Sequence, residues 1–288
     1  MKKKSSLKHT GAFWAFCAPC CILFGVFFLV PLVLSIAFSF TNYDGWKTID
    51  FVGLTNYITL FKDSKFYLSL GRTLLYTVCT LPFRVIIPLL VAVLLCSKRV
   101  AGKSLTRTMV YIPVLMSSLV VGITINWMFS QEYGLVNFII RSLGGTALEW
   151  SLNPRLATFV IAFASVWASI GFNMILYIGG INSISNDLYE AATIDGASGV
   201  QAFFRITVPM LAPTTFMVVL LSTVNLLKEY ALVQGITQGG PGLSTTFIIQ
   251  YIFDKGFNQM QYGYASAIST VVMIIFALIA FAQFKVNN

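Results

Sequence analysis

Ser222, Asn225, Glu229 and Tyr230 place hydrogen-bonding side chains in a largely apolar stretch of this chain. Asn225 and Glu229 are four residues apart, which on a helix is one turn and one face. A carboxylate accepts hydrogen bonds and a carboxamide both donates and accepts, so the pair suits either a hydroxyl-rich solute or the tying of one helix to another. Two further apolar stretches carry the same kind of interruption: Ser117 and Ser118, with Asn126 and Trp127 beyond them, and Asn173 near Gly171. Arg84 is the one cation inside such a stretch, in Leu81-Pro82-Phe83-Arg84-Val85. An ionisable group there marks function or is paired with a neighbouring subunit. No acid, base and metal ligands cluster as a membrane-embedded enzyme would require. Cys17, Cys20, Cys21, Cys79 and Cys96 have no nearby His or carboxylate to complete a metal site, and Cys17-x-x-Cys20 matches a redox spacing by count alone. His9, the sole histidine, is assigned no role.

The elements that must position these residues follow from composition. Of 288 residues, 57% are hydrophobic and 10% charged, with a mean hydropathy of +0.81, whereas a soluble domain has about 25% charged residues. The polar surface is too small to cover the chain, so the excess apolar surface faces lipid. Uncharged runs long enough to cross a bilayer as helices occur at His9 to Tyr43, Thr108 to Gln131, Leu156 to Asn186, Ile206 to Leu227 and Gly256 to Phe284. A sixth, Thr73 to Ser97, is broken only by Arg84. The expectation is an all-α integral membrane protein with six transmembrane helices in one domain over residues 1–288. Continuous apolar runs exclude a β-barrel. The first run exceeds a signal-peptide core and lacks a small-x-small cleavage site, so it reads as an uncleaved span.

The net charge of +9 is spread over the segments between spans, which argues against nucleic acid as a partner. With the N-terminus inside, segments 1–12, 97–108, 183–210 and 285–288 hold 10 Lys/Arg in 56 residues, against 8 in 94 for 41–72, 130–156 and 228–262. That asymmetry predicts both termini in the cytoplasm. No Gly-x-x-x-x-Gly-Lys-Ser/Thr loop occurs, so any ATPase is expected on a separate chain.

Two hydrophilic segments stand out. In Ser185 to Pro209, Asp187 is placed to cap a short helix that Gly196 ends in a left-handed turn, and Ser198 with Gln201 repeats the capping-box spacing for a second helix. The first helix is small and apolar, and the second carries Phe203, Phe204 and Ile206. One Arg (Arg205) against three acids (Asp187, Glu190, Asp195) favours docking to a partner protein over lying on lipid headgroups. The other segment, Gly239-Gly240-Pro241-Gly242, is a turn cluster before an apolar stretch to Phe257 that is too short to span and reads as interfacial or re-entrant.

Glu190-Ala191-Ala192, then Gly196, then Ile206-Thr207-Val208-Pro209 resembles the EAA loop of importer-type ABC permeases, with Val208 where Leu is usual. Asn182 to Tyr189 is similar to the segment preceding it in the sugar branch, with Ser185 in place of Pro, and Leu232 to Thr245 resembles that branch's Gly-Gly-Pro segment. Pro31, Phe40-Thr41-Asn42, Phe51 to Tyr57 and Gly263 to Ala267 extend the likeness over nearly the whole chain.

The resemblance implies a type I importer permease fold in a bacterial plasma membrane. It implies a complex with a second homologous permease, an ATPase dimer and an extracytoplasmic sugar-binding protein. ATP and magnesium would be bound by the ATPase, with no cofactor in this chain. Glu190, Ala191, Ala192, Asp195, Gly196, Ala197 and Pro209 would couple the chain to the ATPase. The solute would be a sugar, most consistent with an oligosaccharide, moving along Ser118, Asn173, Ser222, Asn225, Glu229 and Tyr230. By position, Ser222, Glu229 and Ser118 fall where a maltose-type permease contacts its sugar, whereas Leu226 stands where that permease has a polar residue. A permease of the same architecture for a polyol or glycerol phosphate is the alternative, and a phosphate would ask for cationic lining.

Overall fold

The computed structural model describes residues 4–46, 49–97 and 102–287, with no side chain described for residues 4–12, 286 or 287. His9, the lysines before it and the Lys98-Arg99 pair of the charge asymmetry therefore lie outside the described side chains. In chain order the helices are α1 (Lys4–Phe24), α2 (Val30–Phe38), α3 (Thr55–Lys62), α4 (Ser64–Cys96), α5 (Lys103–Tyr111), α6 (Ser118–Met128), α7 (Leu135–Ser142) and α8 (Pro154–Asn182). They continue as α9 (Asn186–Ile194), α10 (Gly199–Ala202), α11 (Val208–Met210), α12 (Ala212–Leu227), α13 (Ala231–Ile236), α14 (Ile248–Phe253) and α15 (Tyr262–Asn287). Among the described residues the extended structure amounts to one antiparallel bridge, Thr41 to Phe51.

Four helical stretches are long and apolar enough to cross a membrane unbroken: Phe13–Phe38, Ser64–Cys96, Pro154–Asn182 and Tyr262–Lys285. The expected third and fifth spans are instead bent pairs. Lys103–Leu115 meets Ser118–Met128 at 101°, and Gly199–Met210 meets Ala212–Leu227 at 66°. Proline accounts for both bends. Pro113 sits in a 3₁₀ turn, Ile112–Leu115, after which Met116 and Ser117 are extended; Pro209 and Pro213 flank the second bend at Leu211. Each proline removes a backbone donor and crowds the turn before it. Phe13–Phe38 runs through a π-helical turn at Gly25–Leu29 and has no buried side chain, as a lipid-facing span should.

The chain divides into two compact units, 1–64 with 252–275, and 65–251 with 276–288. In the smaller, Asn56 Nδ2 donates to the carbonyls of Ser39 (2.9 Å) and Thr41 (2.8 Å), and Tyr264 Oη donates to Asp63 Oδ2 (2.8 Å), tying α3 to the segments on either side of it. The larger holds two apolar clusters, one around Tyr76, Val121, Ile161, Leu226 and Phe247, the other around Ala92, Met174, Tyr177, Leu211 and Val218. Between α6 and α13 the backbones touch: a Cβ on Gly122 would lie 3.0 Å from Gly235 Cα and 3.0 Å from the Leu232 carbonyl oxygen. Only residues without side chains permit that approach, and it holds the six-residue α13, too short to be stable alone, against α6.

Candidate functional site

The site is built around a cavity of about 520 Å³ in the larger unit, within the usual ~300–1,000 Å³ of small-molecule sites. Ser118, Asn173, Ser222, Asn225, Glu229 and Tyr230 all line it. Ser118 reaches it because the Pro113 bend starts α6 there, Asn173 from the middle of α8, and Ser222 and Asn225 from α12.

Glu229 arrives differently from the sequence expectation. α12 ends at Leu227 and Lys228 is its cap, so Glu229 is not one helical turn beyond Asn225. It lies in the break between α12 and α13, where its Oε1 accepts from the Leu232 amide at 3.3 Å. The carboxylate thereby satisfies one of the unpaired donors that open α13. The break exists because α13 must turn to reach Gly122, a tertiary contact with no local signal.

A polar network forms the wall. Asn173 Nδ2 donates to the Arg84 carbonyl (2.9 Å) and to Ser222 Oγ (3.2 Å), joining α8 to α4 and α12. The Arg84 carbonyl is open to this bond because its usual helical donor, four residues on, is Pro88, which has no N–H. The Arg84 side chain is 6% exposed and donates from Nε (3.2 Å) and Nη2 (3.0 Å) to the Ser165 carbonyl. Within its own chain Arg84 is thus hydrogen-bonded to the backbone of α8.

Arg84, Lys228, Ser169 and Phe172 join the lining. The sequence signal for Arg84 was its isolation in an apolar run; Ser169 and Phe172 had none beyond lying on the Asn173 helix. Leu226 is 0% exposed within the first apolar cluster, so it is core packing and does not line the cavity. Trp127 is 80% exposed, and Asn126 and Trp127 are absent from the lining.

The second candidate surface is the 185–209 segment. The cap of α9 is Ser185, whose Oγ accepts from the Asp187 amide at 3.3 Å; Asp187 itself sits in the first turn, favourably near the positive helix end. Gly196 has φ +76° and closes the helix with its N–H on the Thr193 carbonyl (3.1 Å) and the Ala197 N–H on the Ala192 carbonyl (2.9 Å), a Schellman termination. Ser198 and Gln201 form the reciprocal capping box at 2.7 and 3.3 Å. Tyr189 Oη and Thr207 Oγ1, 2.9 Å apart, clamp the two arms together. Glu190, Ala191, Asp195 and Pro209 are exposed, Ala192 and Ala197 half-buried, and Ile194 is 86% and Phe204 64% exposed. Large apolar side chains held outward on a fixed hairpin mark an interaction surface.

The sequence pattern of the family described as "Binding-protein-dependent transport system inner membrane component" matches residues 54–287. The chain belongs to this family. As an ABC permease it is a multi-pass inner-membrane transport component and not the catalytic subunit. The permease is 32% identical to the probable ABC transporter permease YesP of Bacillus subtilis, over 100% of this chain and 94% of that protein. It is 32% identical to the arabinooligosaccharides transport permease AraP of Bacillus subtilis (96% and 88%) and to the multiple sugar-binding transport permease MsmF of Streptococcus mutans (96% and 94%). A crystal structure of a bacterial ABC transporter that imports the acidic polysaccharide alginate superposes with a TM-score of 0.84 at 24% identity, covering 98% of this chain and 96% of that one, which is the same fold.

Proposed function

We propose that this permease carries carbohydrate, an oligosaccharide in particular, through the cavity lined by Ser118, Asn173, Ser222, Asn225, Glu229 and Tyr230. The observation that carries the reading is the convergence of these six side chains, from three separate stretches of the chain, on one space of about 520 Å³. Hydroxyl, amide and carboxylate groups supply donors and acceptors for sugar hydroxyls, and Tyr230 and Phe172 supply flat apolar faces. The relatives named for arabinooligosaccharides and multiple sugars support the same class. In this reading a second permease completes the path, an extracytoplasmic binding protein delivers the sugar, and both termini are cytoplasmic. The 185–209 hairpin docks on a separate ATPase that holds ATP and magnesium. Nucleotide binding then biases the permease pair between inward- and outward-facing states.

A polyol or glycerol-phosphate solute draws some support from Arg84 and Lys228 on the lining. Against it, Arg84 is committed to the Ser165 carbonyl and Glu229 adds a carboxylate that repels phosphate. The test is uptake into proteoliposomes holding the full complex and its binding protein, with labelled oligosaccharides, monosaccharides, glycerol and glycerol phosphate offered in competition. Oligosaccharides should compete and glycerol phosphate should not. Competition by glycerol phosphate alone would replace the reading with its alternative.

A further inference from the structure

A second cavity of the larger unit takes no part in this path. It is a groove of about 480 Å³ along α4 and α8. Its α4 wall is one helical stripe, Arg72, Leu75, Cys79, Phe83 and Ile87, at spacings of three and four. From α8 the wall begins likewise with an arginine, Arg155, and continues through Phe159 and Phe163. At 1.5 Å per residue the stripe from Arg72 to Ile87 is about 22 Å long, more than the ~15 Å hydrocarbon depth of one leaflet.

Thr80 Oγ1 and Ser244 Oγ, on residues that line the groove, have no hydrogen-bond partner among the described residues. Thr80 is 2% exposed. On the same helix Thr73 and Thr77 each return their hydroxyl to the carbonyl four residues earlier at 2.8 Å. Thr80 does not. A buried hydroxyl without a partner is costly unless a ligand supplies one.

The aliphatic wall alone would suit an acyl chain or an apolar helix. A helix with an apolar face, however, has its backbone groups internally bonded and offers neither an anion to the two arginines nor spare acceptors to the hydroxyls. A phospholipid with a negative headgroup offers both. We propose that this groove binds one anionic phospholipid: the phosphate lies between Arg72 and Arg155, the ester oxygens face Ser244 and Thr80, and one acyl chain lies along Leu75, Phe83 and Phe159. Arg72 also donates from Nη1 to the Leu243 carbonyl, so the headgroup would sit beside the loop that follows Pro241.

The assembled transporter can be placed in nanodiscs of phosphatidylcholine containing a fraction of phosphatidylglycerol, and the lipid it retains on transfer to mild detergent counted by native mass spectrometry. Arg155→Gln, which leaves the Arg72–Leu243 contact intact, should lower the preference for phosphatidylglycerol roughly fivefold, while Arg155→Lys keeps most of it. Equal retention of the two lipids by the unaltered complex, or an undiminished preference in Arg155→Gln, would overturn the proposal. Should Arg155→Gln fail to assemble, a photoreactive residue at Phe159 in the otherwise unaltered complex decides the matter. Cross-linking to tail-labelled phosphatidylglycerol supports the site, and cross-linking to the second permease instead refutes it.

Discussion

Glu229 sits in a backbone break with one oxygen engaged by the Leu232 amide, and the residue lines the cavity with Asn225 and Tyr230. A hydrogen bond to a charged group contributes about 1.5–3 kcal/mol. Glu229→Gln keeps an oxygen for the Leu232 amide, removes the charge and turns the other acceptor into a donor. Half-saturation for oligosaccharide uptake should then rise by roughly one to two decades, with the complex assembled and basal ATPase unchanged. An unchanged half-saturation in both Glu229→Gln and Asn225→Ala would take this wall out of the path. Failure to assemble would instead assign Glu229 to holding the start of α13 through the Leu232 amide.

At the scale of elements, the 185–209 hairpin was largely legible because helix ends are encoded locally. Gly196, Ser198 and Gln201 do what their spacing predicts, and the one error, Asp187 for Ser185 as cap, shifts the boundary without altering the element. α13 was illegible for the opposite reason. Its start is fixed by the distant Gly122–Gly235 contact, so an uninterrupted α12 was the natural reading of Ser222 to Tyr230. Gly196 gives a prediction at this scale. No atom lies within 4 Å of where its Cβ would be, so Gly196→Val meets no clash in the isolated chain. Its cost is the left-handed φ of +76°, about 1–2 kcal/mol for a side-chain-bearing residue, together with bulk on the docking face. Transport and substrate-stimulated ATP hydrolysis should fall together, and normal stimulated hydrolysis in the assembled variant would sink the docking role.

For the whole molecule, composition alone gave the membrane class, and the six apolar runs correspond to four unbroken helices and two bent pairs. Prolines mark both bends in the sequence, but the apolar runs alone gave no sign of them and no angle, because proline frees a backbone bond and the surrounding packing chooses the direction. The orientation rests on charge asymmetry, and the side chain of Leu243, 53% exposed, offers a direct measurement. In a background without the native cysteines, three of which are exposed, Leu243→Cys should react with an impermeant maleimide added outside intact cells. Labelling only after the cytoplasmic face is opened would invert the topology.

The bond between Asn173 and the Arg84 carbonyl makes two residues on different helices share one mutational fate. Pro88 is what leaves that carbonyl vacant, so Asn173→Ala in the present chain strands a buried acceptor at a cost of about 1–3 kcal/mol. With Pro88→Ala in place first, the helix supplies its own donor and the same loss should cost less, only the bond to Ser222 then being given up. Thermal unfolding of the purified complex can trace both orders, and the double variant should be less destabilised than the two single changes added together. Strict additivity would mean that the two positions drift independently. Otherwise the history of this membrane helix is contingent: its proline can be lost before the asparagine, but the asparagine can be lost cheaply only after the proline.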